Sequence, residues 1–384
     1  MDINTRIVHA GIDRDPATGA SSVPLYQAST YSQNDPERHG RYDYVRSGNP
    51  TREALEKALA ELEGGAAGLA FASGMAATSS ALLLFRPGDH LVVGRDVYGG
   101  TFRVLDRLFS RWGLRTTFVD TTDAANIRAA VEPATRAIFI ETPSNPFLRI
   151  TDLAATAAIA RERGLLTIAD GTFTTPYLQR PLEHGFDLVV HSATKFLNGH
   201  SDLLAGAVVA RGAELGDRLK FIQNAFGAVL GVQDSWLLLR GLKTLAARLE
   251  TGQKTAHWLA ERLAALPEVK KVHYPGLPGH PGREIHARQA SGGGAVLSFE
   301  LAEEGMTMEF LRRLRLPLLA VSLGGVETIV THPATMSHAS MPPEERELRG
   351  ISEGLVRMSV GLESGEDLLT DILQAFREAG RKRG

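Results

Sequence analysis

The sequence predicts an α/β fold, with a large, mainly parallel sheet domain followed by a smaller α+β domain. Up to residue 240, short apolar runs that end in turn residues alternate with segments of helical periodicity. Buried strands of parallel sheets have this apolar character because helices cover both faces of the sheet. Beyond residue 240 the regular alternation stops, which favours a separate domain.

The N-terminal segment is rich in proline, glycine, asparagine and aspartate and has little periodicity. It predicts an extended arm, which rarely stays ordered alone. The arm ends in Y-D-Y-V-R-S-G-N-P-T, where Tyr44 and Arg46 lie on one side of an extended segment and the guanidinium suits a phosphate. A solvated polar loop is the alternative. The predicted division is an arm at 1–48, an α/β domain at 49–240 and an α+β domain at 241–384.

Periodicity and breaker residues predict the elements in order. Helices are expected at 51–62, 101–112 and 153–163, and strands at 68–72, 90–94, 115–119, 136–141, 165–169, 186–190 and 204–210. One long helix at 236–249 is expected to connect the two domains. The smaller domain is expected to contain a strand at 295–301 and helices at 308–313 and 366–377.

A glycine turn follows the first predicted strand, where G-L-A-F-A runs into S-G-M-A-A-T. A strand that leads through such a turn into a helix leaves backbone N–H groups free to bind an anion. Ser73, Gly74 and Met75 are therefore candidate phosphate-binding residues. A tight turn without a ligand is the alternative.

Chemically distinctive residues follow two later strands. Asp170 ends one apolar run, and Ser192, Thr194 and Lys195 come directly after the next. Ligands of open α/β sheets bind beyond the carboxyl ends of the strands, so we expect these groups to converge. The amine can bind an aldehyde, the hydroxyls a phosphate and the carboxylate a pyridine nitrogen, a set that suits pyridoxal phosphate (PLP). The alternative is a surface lysine beside an aspartate that caps a helix.

Three more residues suggest ligand contacts. Tyr98 and Asn145 follow strand ends, and the tyrosine ring either stacks on a planar ligand or packs in the core. Arg357 lies between apolar residues of a strand-like run, where a charge needs an anionic partner. Either a substrate carboxylate or an internal aspartate or glutamate would serve.

Composition excludes several classes of protein. The 384 residues are 43% hydrophobic and 22% charged with a net charge of −2, so no broad attraction to nucleic acid or membrane is expected. The absence of cysteine excludes disulfides, thiolate zinc sites and a cysteine nucleophile. No secretion signal or membrane-spanning run is predicted, and we expect a cytoplasmic protein.

Two weaker patterns resemble other sites. The glycine-rich run at 64–68 precedes its strand, whereas a dinucleotide fingerprint follows one, so no nicotinamide site is predicted. His191, His200 and Asp202 lack the spacing of metal ligands, so structural roles are expected for both histidines and no metal is predicted.

Six motifs, in order along the chain, resemble one family. They are Y-x-R-x-G-N-P-T, A-S-G-M-A-A, Y-G-G-T, T-P-S-N-P, H-S-A-T-K-F-L-N-G-H-S-D and V-S-L-G-G. The chain resembles the Cys/Met-metabolism family of PLP enzymes, which includes cystathionine γ-lyase, cystathionine γ-synthase and methionine γ-lyase. The resemblance implies a fold-type I, aspartate-aminotransferase-like PLP-dependent transferase fold.

The resemblance also implies roles for the candidate residues. Lys195 would hold the cofactor covalently and move protons, Asp170 would bind the pyridine nitrogen, and Tyr98 would stack on the ring. The phosphate would be bound within the subunit by Gly74, Met75, Ser192 and Thr194, and across a subunit interface by Tyr44 and Arg46. A homo-oligomer, a dimer of dimers, is therefore expected. The substrate would be positioned by Asn145, Ser322 and Arg357.

Some departures from the family concern the substrate. The usual D-N-T is Asp170-Gly171-Thr172 here. Many cystathionine enzymes have glutamate at the position of Val321, whereas methionine γ-lyases resemble this chain in having no glutamate there. Gly100 replaces the cysteine of many methionine γ-lyases. We predict a PLP-dependent carbon–sulfur lyase that performs γ-elimination on cystathionine or a related sulfur amino acid. Cystathionine γ-synthase, methionine or homocysteine γ-lyase, a PLP-binding protein without turnover, and an oxidoreductase are the alternatives, and β-elimination stays open.

Overall fold

The computed structural model describes residues 1–11, 15, 17–339 and 341–381. The helices in this part of the chain are α1 (Ile3–His9), α2 (Pro50–Glu63), α3 (Gly74–Leu82), α4 (Gly99–Arg107), α5 (Ala124–Ala130), α6 (Leu153–Arg163), α7 (Thr175–Leu178), α8 (Ala213–Phe226), α9 (Val232–Leu242), α10 (Leu245–Leu263), α11 (Arg283–Gln289), α12 (Thr307–Arg313), α13 (Pro343–Arg349) and α14 (Gly365–Arg381).

The strands in the same residues are β1 (Ala67–Phe71), β2 (His90–Gly94), β3 (Arg115–Val119), β4 (Thr135–Glu141), β5 (Leu166–Asp170), β6 (Leu188–His191), β7 (Gly206–Ala210), β8 (Val269–His273), β9 (Val296–Leu301), β10 (Leu318–Leu319), β11 (Ile329–Thr331) and β12 (Leu355–Ser359). The chain divides into two compact units. Unit 1 comprises Met1–Pro87 and Leu166–Ala246, and unit 2 comprises Gly88–Leu165 and Ala247–Gly384. The predicted domain division at 48 and 240 stays a prediction.

Unit 1 contains four strands in the order β1-β7-β6-β5. β5 and β6 are parallel, whereas β7 is antiparallel to both β6 and β1. No helix separates β6 from β7, so the chain returns in the opposite direction, because parallel neighbours usually need a helical crossover. The parallel pair brings the carboxyl ends of β5 and β6 to the same edge, as the sequence predicts for Asp170 and the residues after His191.

α2 covers the outer strand of unit 1. Its buried leucines, Leu55, Leu59 and Leu62, recur at helical spacing, as predicted. The helix begins after Asn49, whose side chain accepts from two free N–H groups, and it ends before Gly64 in the left-handed conformation. The last residue of α2 is Glu63, which is buried in the core of unit 1.

Unit 2 contains three parallel strands in the order β4-β2-β3 and a second sheet in the order β10-β11-β12-β9-β8. In the second sheet only the short β10 pairs in parallel; the other neighbours are antiparallel. Its core includes Phe299, Phe310 and Phe376, and the last two rings are stacked with their centroids 4.3 Å apart. β12, which carries Arg357, lies between β11 and β9.

Three predicted elements differ from the structure. The helix expected at 101–112 ends at Arg107, and a separate 3₁₀ helix, Phe109–Trp112, follows it. The long helix expected at 236–249 is wrong, because α9 ends at Leu242 and α10 begins at Leu245. The N–H and the hydroxyl of Thr244 both donate to the carbonyl of Gly241, at 3.2 and 3.1 Å, which ends the helical ladder there. The arm expected to be extended contains α1 at its start, where the side chain of Asp2 caps the helix.

Within the described residues, no helix combines the length and the apolar character that crossing a membrane requires.

Candidate active site

Asp170 is the last residue of β5 and lies opposite Val190 of the parallel strand β6. The N–H and the hydroxyl of Thr172 both donate to its Oδ1, at 3.0 and 2.6 Å. Among the described residues no group donates to Oδ2, which leaves this oxygen for a ligand. Burial raises the pKa of Asp170 above its ordinary value, while the bonds from Thr172 and the nearby His191 oppose the rise. A cationic donor at Oδ2 would favour the ionised carboxylate further.

The start of α3 forms a cradle for an anion. Ser73 caps the helix by accepting from the N–H of Ala76 at 3.0 Å, and the N–H groups of Gly74 and Met75 have no acceptor among the described residues. A Cβ at Gly74 would lie 2.8 Å from the Cβ of Ser192, so only glycine allows this approach. The predicted phosphate-binding residues of α3 and Ser192 are therefore neighbours, with free donors.

The turn after β6 carries the other predicted cofactor residues. Lys195 is half-buried, and its N–H donates to the carbonyl of Ser192 at 3.1 Å. The hydroxyl of Thr194 donates to the carbonyl of Ala205 at 3.1 Å and accepts from the N–H of the same residue at 2.9 Å. Since the proton of this hydroxyl is used within the protein, a phosphate contact by Thr194 stays a prediction.

Tyr44 and Arg46 are exposed at the surface of unit 1. The Arg46 guanidinium lies over the Tyr44 ring, 5.4 Å from its centroid, and its Nε donates to Asn224 at 3.3 Å. The buried Arg52 donates to the Arg46 carbonyl at 3.0 Å and so holds the backbone of this segment. In the described part of the chain, neither Tyr44 nor Arg46 bonds to the cradle of α3, so both side chains are available to another molecule.

Arg357 is buried in unit 2, and all of its partners are neutral. Its guanidinium donates to Oδ1 of Asn145 at 3.0 Å, to the carbonyl of Ser322 at 2.7 Å and to the hydroxyl of Thr331 at 3.1 Å. Its Nε has no partner, and within the described residues no carboxylate bonds to it. The internal acid considered in the sequence analysis is present only at longer range, where the field of Glu141 raises the pKa of Arg357, and the open Nε suits an anionic ligand.

Burial opposes the positive charge of Arg357. Burial lowers the pKa of Arg357 to about 10, and the nearby Tyr98 and Glu141 oppose the fall. The N–H of Tyr98 donates to Oε2 of Glu141 at 2.7 Å, while the residue is 41% exposed. Core packing, the alternative for Tyr98, is thus wrong, and its contact with the cofactor stays a prediction. Val321, next to Ser322, is 59% exposed.

Sequence reasoning missed three residues that organise these clusters. Thr172 binds the Asp170 carboxylate, Glu141 holds the backbone of Tyr98, and Thr331 binds Arg357. Glu141 ends an apolar run just as Asp170 does, so the same argument from strand ends could have found it. Thr331 depends on the pairing of β11 with β12, which the sequence does not reveal.

The histidines have structural partners, as expected. Nε2 of His191 lies 2.6 Å from Oε1 of Glu63, and Nδ1 of His200 bonds to the carbonyl of Asn198 at 2.7 Å. Asp202 accepts from the side chain of Asn198 at 2.8 Å. A search of the described residues finds no group of three histidine or acidic side chains that could hold a metal ion.

A family model described as Cys/Met metabolism PLP-dependent enzyme matches residues 4–377. The chain belongs to this family. Its cofactor is pyridoxal 5'-phosphate, as the sequence predicts. The residues of unit 1 fit this group: the cradle of α3 has free N–H donors for the phosphate, and Asp170 has a free carboxylate oxygen for the ring nitrogen.

Relatives of known name cover nearly the whole chain. The cystathionine beta-lyase MetC of Bacillus subtilis is 54% identical over 376 residues, which is 98% of this chain and 96% of that protein. The cystathionine gamma-lyase of the same organism is 50% identical, over 98% of this chain and 99% of that protein. The structure of a cystathionine gamma synthase from Xanthomonas oryzae pv. oryzae in complex with cystathionine has a TM-score of 0.97 and 46% identity, over 99% of both chains. The predicted fold-type I architecture and the family are confirmed.

Lys195→Ala is expected to abolish the covalent link to the cofactor, because Lys195 is the amine that follows β6 beside Ser192. Borohydride reduction of the wild-type holoenzyme should leave a cofactor adduct on the peptide that contains Lys195, detectable by mass spectrometry, and the variant should lack both the adduct and nearly all turnover. Lys220→Ala, at another lysine of unit 1, is the control and should keep the adduct. A normal adduct in Lys195→Ala would contradict the assignment.

Proposed function

We propose that this protein is a PLP-dependent carbon–sulfur lyase that cleaves cystathionine, or a closely related sulfur amino acid, by γ-elimination. The observation that carries the proposal is the buried Arg357, whose hydrogen-bond partners are all neutral and whose Nε has none. An amino-acid substrate brings a carboxylate, which the guanidinium can bind with two parallel hydrogen bonds. Arg357 and Asn145 would then position the substrate by its α-carboxylate, with Ser322 contributing through its backbone carbonyl.

The residues of unit 1 would hold the cofactor. The N–H groups of Gly74 and Met75 and the hydroxyl of Ser192 would bind its phosphate, and Oδ2 of Asp170 would accept from the pyridine nitrogen. Thr194 would join them only by turning its hydroxyl proton away from the carbonyl of Ala205. When bound, the cofactor withdraws electrons from the amino acid. Nζ of Lys195 would form the covalent link and then remove the proton from Cα of the substrate. The exposed ring of Tyr98 would stack on the pyridine ring.

The names of the relatives support the carbon–sulfur lyase class and leave two reactions to compare. One Bacillus subtilis relative is named a beta-lyase at 54% identity and the other a gamma-lyase at 50%. β-elimination on the same substrate is therefore the second candidate. The solved complex of the Xanthomonas oryzae pv. oryzae gamma synthase with cystathionine supports cystathionine as the ligand of the present site.

Product analysis on cystathionine tests the proposal. γ-Elimination breaks the Cγ–S bond and, with one water, yields cysteine, 2-oxobutanoate and ammonia, which we expect in equal amounts. β-Elimination breaks the Cβ–S bond and yields homocysteine, pyruvate and ammonia instead. The Lys195→Ala variant is the control for background cleavage. Formation of homocysteine and pyruvate would assign the second reaction, and the absence of both product sets would contradict a cystathionine lyase.

Val321→Glu is expected to shift the preference toward cystathionine. The residue adjoins Ser322, whose carbonyl binds Arg357, so its side chain is placed near the substrate's binding residues along the chain. A glutamate could pair with the distal ammonium of cystathionine, and a charged hydrogen bond contributes about 1.5 to 3 kcal/mol, or about one to two powers of ten. We expect the ratio of kcat/KM for cystathionine to that for methionine or homocysteine to rise about tenfold or more.

The control for this prediction is Val321→Gln, because glutamine has the size of glutamate but no charge. This variant should leave the ratio of the kcat/KM values within about threefold of wild type. An unchanged or reversed ratio in Val321→Glu would mean that the side chain does not face the distal end of the substrate.

We further propose a homo-oligomer, a dimer of dimers, in which Tyr44 and Arg46 complete the phosphate site of a neighbouring subunit. Two observations support it. Both side chains are exposed and bind no phosphate-site residue of their own chain within the described residues. Unit 1 also exposes large apolar side chains, among them Leu204, Phe221 and Phe226, that an interface would cover. The cytoplasmic location stays a prediction from the sequence.

Co-expression of Arg46→Ala and Lys195→Ala chains tests the shared site. In a mixed dimer, one site would receive both the intact Lys195 and the intact Arg46, so random assembly should restore about a quarter of the wild-type activity. Each variant expressed alone is the control and should be much less active than the mixture. Activity no greater than the mean of the two variants, or a fully active monomer in sedimentation, would contradict the proposal.

A further inference from the structure

Gly171 occupies a position where the motif departs from the family, D-G-T in place of D-N-T. The backbone does not require glycine there, because the φ angle of Gly171 is not positive. The lack of space requires it, because a Cβ at this position would lie 2.8 Å from Cε1 of His191 and 3.1 Å from Cγ1 of Val189. Carbon atoms are not found this close without displacement, so the imidazole ring occupies the place that any other residue would need for its side chain.

The ring of His191 is held in that place by Glu63. Its Nε2 lies 2.6 Å from Oε1 of Glu63, and both side chains are only 1% exposed. Glu63 is the last residue of α2, so the pair joins the end of this helix to the end of β6. Replacing a buried acid–imidazole pair by apolar side chains is often neutral or stabilising, so stability alone is a weak reason for this pair.

The ring lies beside Gly171, the residue between Asp170 and the threonine that binds its carboxylate. Gly171 donates its N–H to the carbonyl of Val190 at 3.0 Å, and Thr172 donates twice to Asp170. A shift of Gly171 away from the ring would therefore move both the carboxylate and its donor. The field of His191 also opposes the rise that burial causes in the pKa of Asp170.

We propose that Glu63 and His191 are positioning residues for the Asp170 carboxylate, and that Gly171 makes room for their contact. This proposal rests on the proposed function only in taking Asp170 as the group that binds the cofactor's pyridine nitrogen. The pair would act through the backbone at Gly171 and would not touch the cofactor.

A double-mutant cycle between positions 171 and 191 tests the steric half. The dissociation constant of PLP is measured on apoprotein prepared from each holoenzyme, together with the visible circular dichroism of the bound cofactor, which reports on ring orientation. Gly171→Ala should weaken binding about tenfold or more and change the dichroism, whereas adding Gly171→Ala to His191→Ala should change the constant less than about twofold. Gly212→Ala is the matched control, because that glycine is exposed and nothing lies within 4 Å of its Cβ position.

Substitution of Glu63 tests the anchoring half. Glu63→Ala removes the contact with the ring and should weaken PLP binding about tenfold, while Glu63→Gln keeps a hydrogen-bonding group of the same size and should restore binding to within about twofold of wild type. Rescue by glutamine, with unchanged thermal unfolding of the apoproteins, separates positioning of the carboxylate from a general effect on folding.

Three results would overturn the proposal: wild-type PLP affinity and dichroism in Gly171→Ala, equal weakening by Gly171→Ala with and without the His191 ring, or wild-type affinity in Glu63→Ala. If Gly171→Ala fails to fold, the two Glu63 variants decide the question. Failure of the proposed function has a different signature, because a wild-type protein that binds PLP normally but forms neither product set from cystathionine contradicts it whatever the Glu63 variants do.

Discussion

The hydroxyl of Thr172 connects the two strand ends on which the cofactor residues of unit 1 lie. It donates its single proton to Asp170 at 2.6 Å and accepts from the N–H of Ser192 at 2.9 Å. Because a hydroxyl has one proton, the bond to Asp170 uses it, and the same oxygen can only accept from Ser192. Thr172 thereby holds Asp170 and Ser192 at a fixed distance from each other. Lys195 comes three residues after Ser192.

Unit 2 contains a buried cation, Arg357, to which no acid is bonded within the described residues. Arg357 lies on β12 directly opposite Thr331 of β11, so strand pairing itself supplies one of its neutral acceptors. Burial of an unpaired charge is costly, and the lowered pKa of Arg357 expresses this cost. A substrate carboxylate would relieve it, so the same feature that destabilises the free protein favours binding of an amino acid.

Much of the fold could be predicted because the elements have clear local signals. The strands at 90–94 and 115–119 and the helix at 153–163 have the predicted bounds, since apolar runs and caps mark them in the sequence. The break after Leu242 was missed because it contains no proline, only a threonine that bonds back to Gly241. The direction of β7 was also not determined by local sequence, because parallel and antiparallel buried strands have similar apolar runs.

The chemical groups of the site can be read from the local sequence: a lysine and an aspartate at strand ends, a glycine turn that opens a helix, and an arginine among apolar residues. The partners of these groups come from the fold. Glu63 and His191 are 128 positions apart, and Arg357 and Asn145 are 212 positions apart, yet each pair is in contact. Such contacts depend on strand register and on the packing of a helix end against a sheet, which no local pattern encodes. Gly171 shows the difference most clearly, because its motif marks a missing side chain and only the ring of His191, lying 2.8 Å from where a Cβ would be, gives the reason.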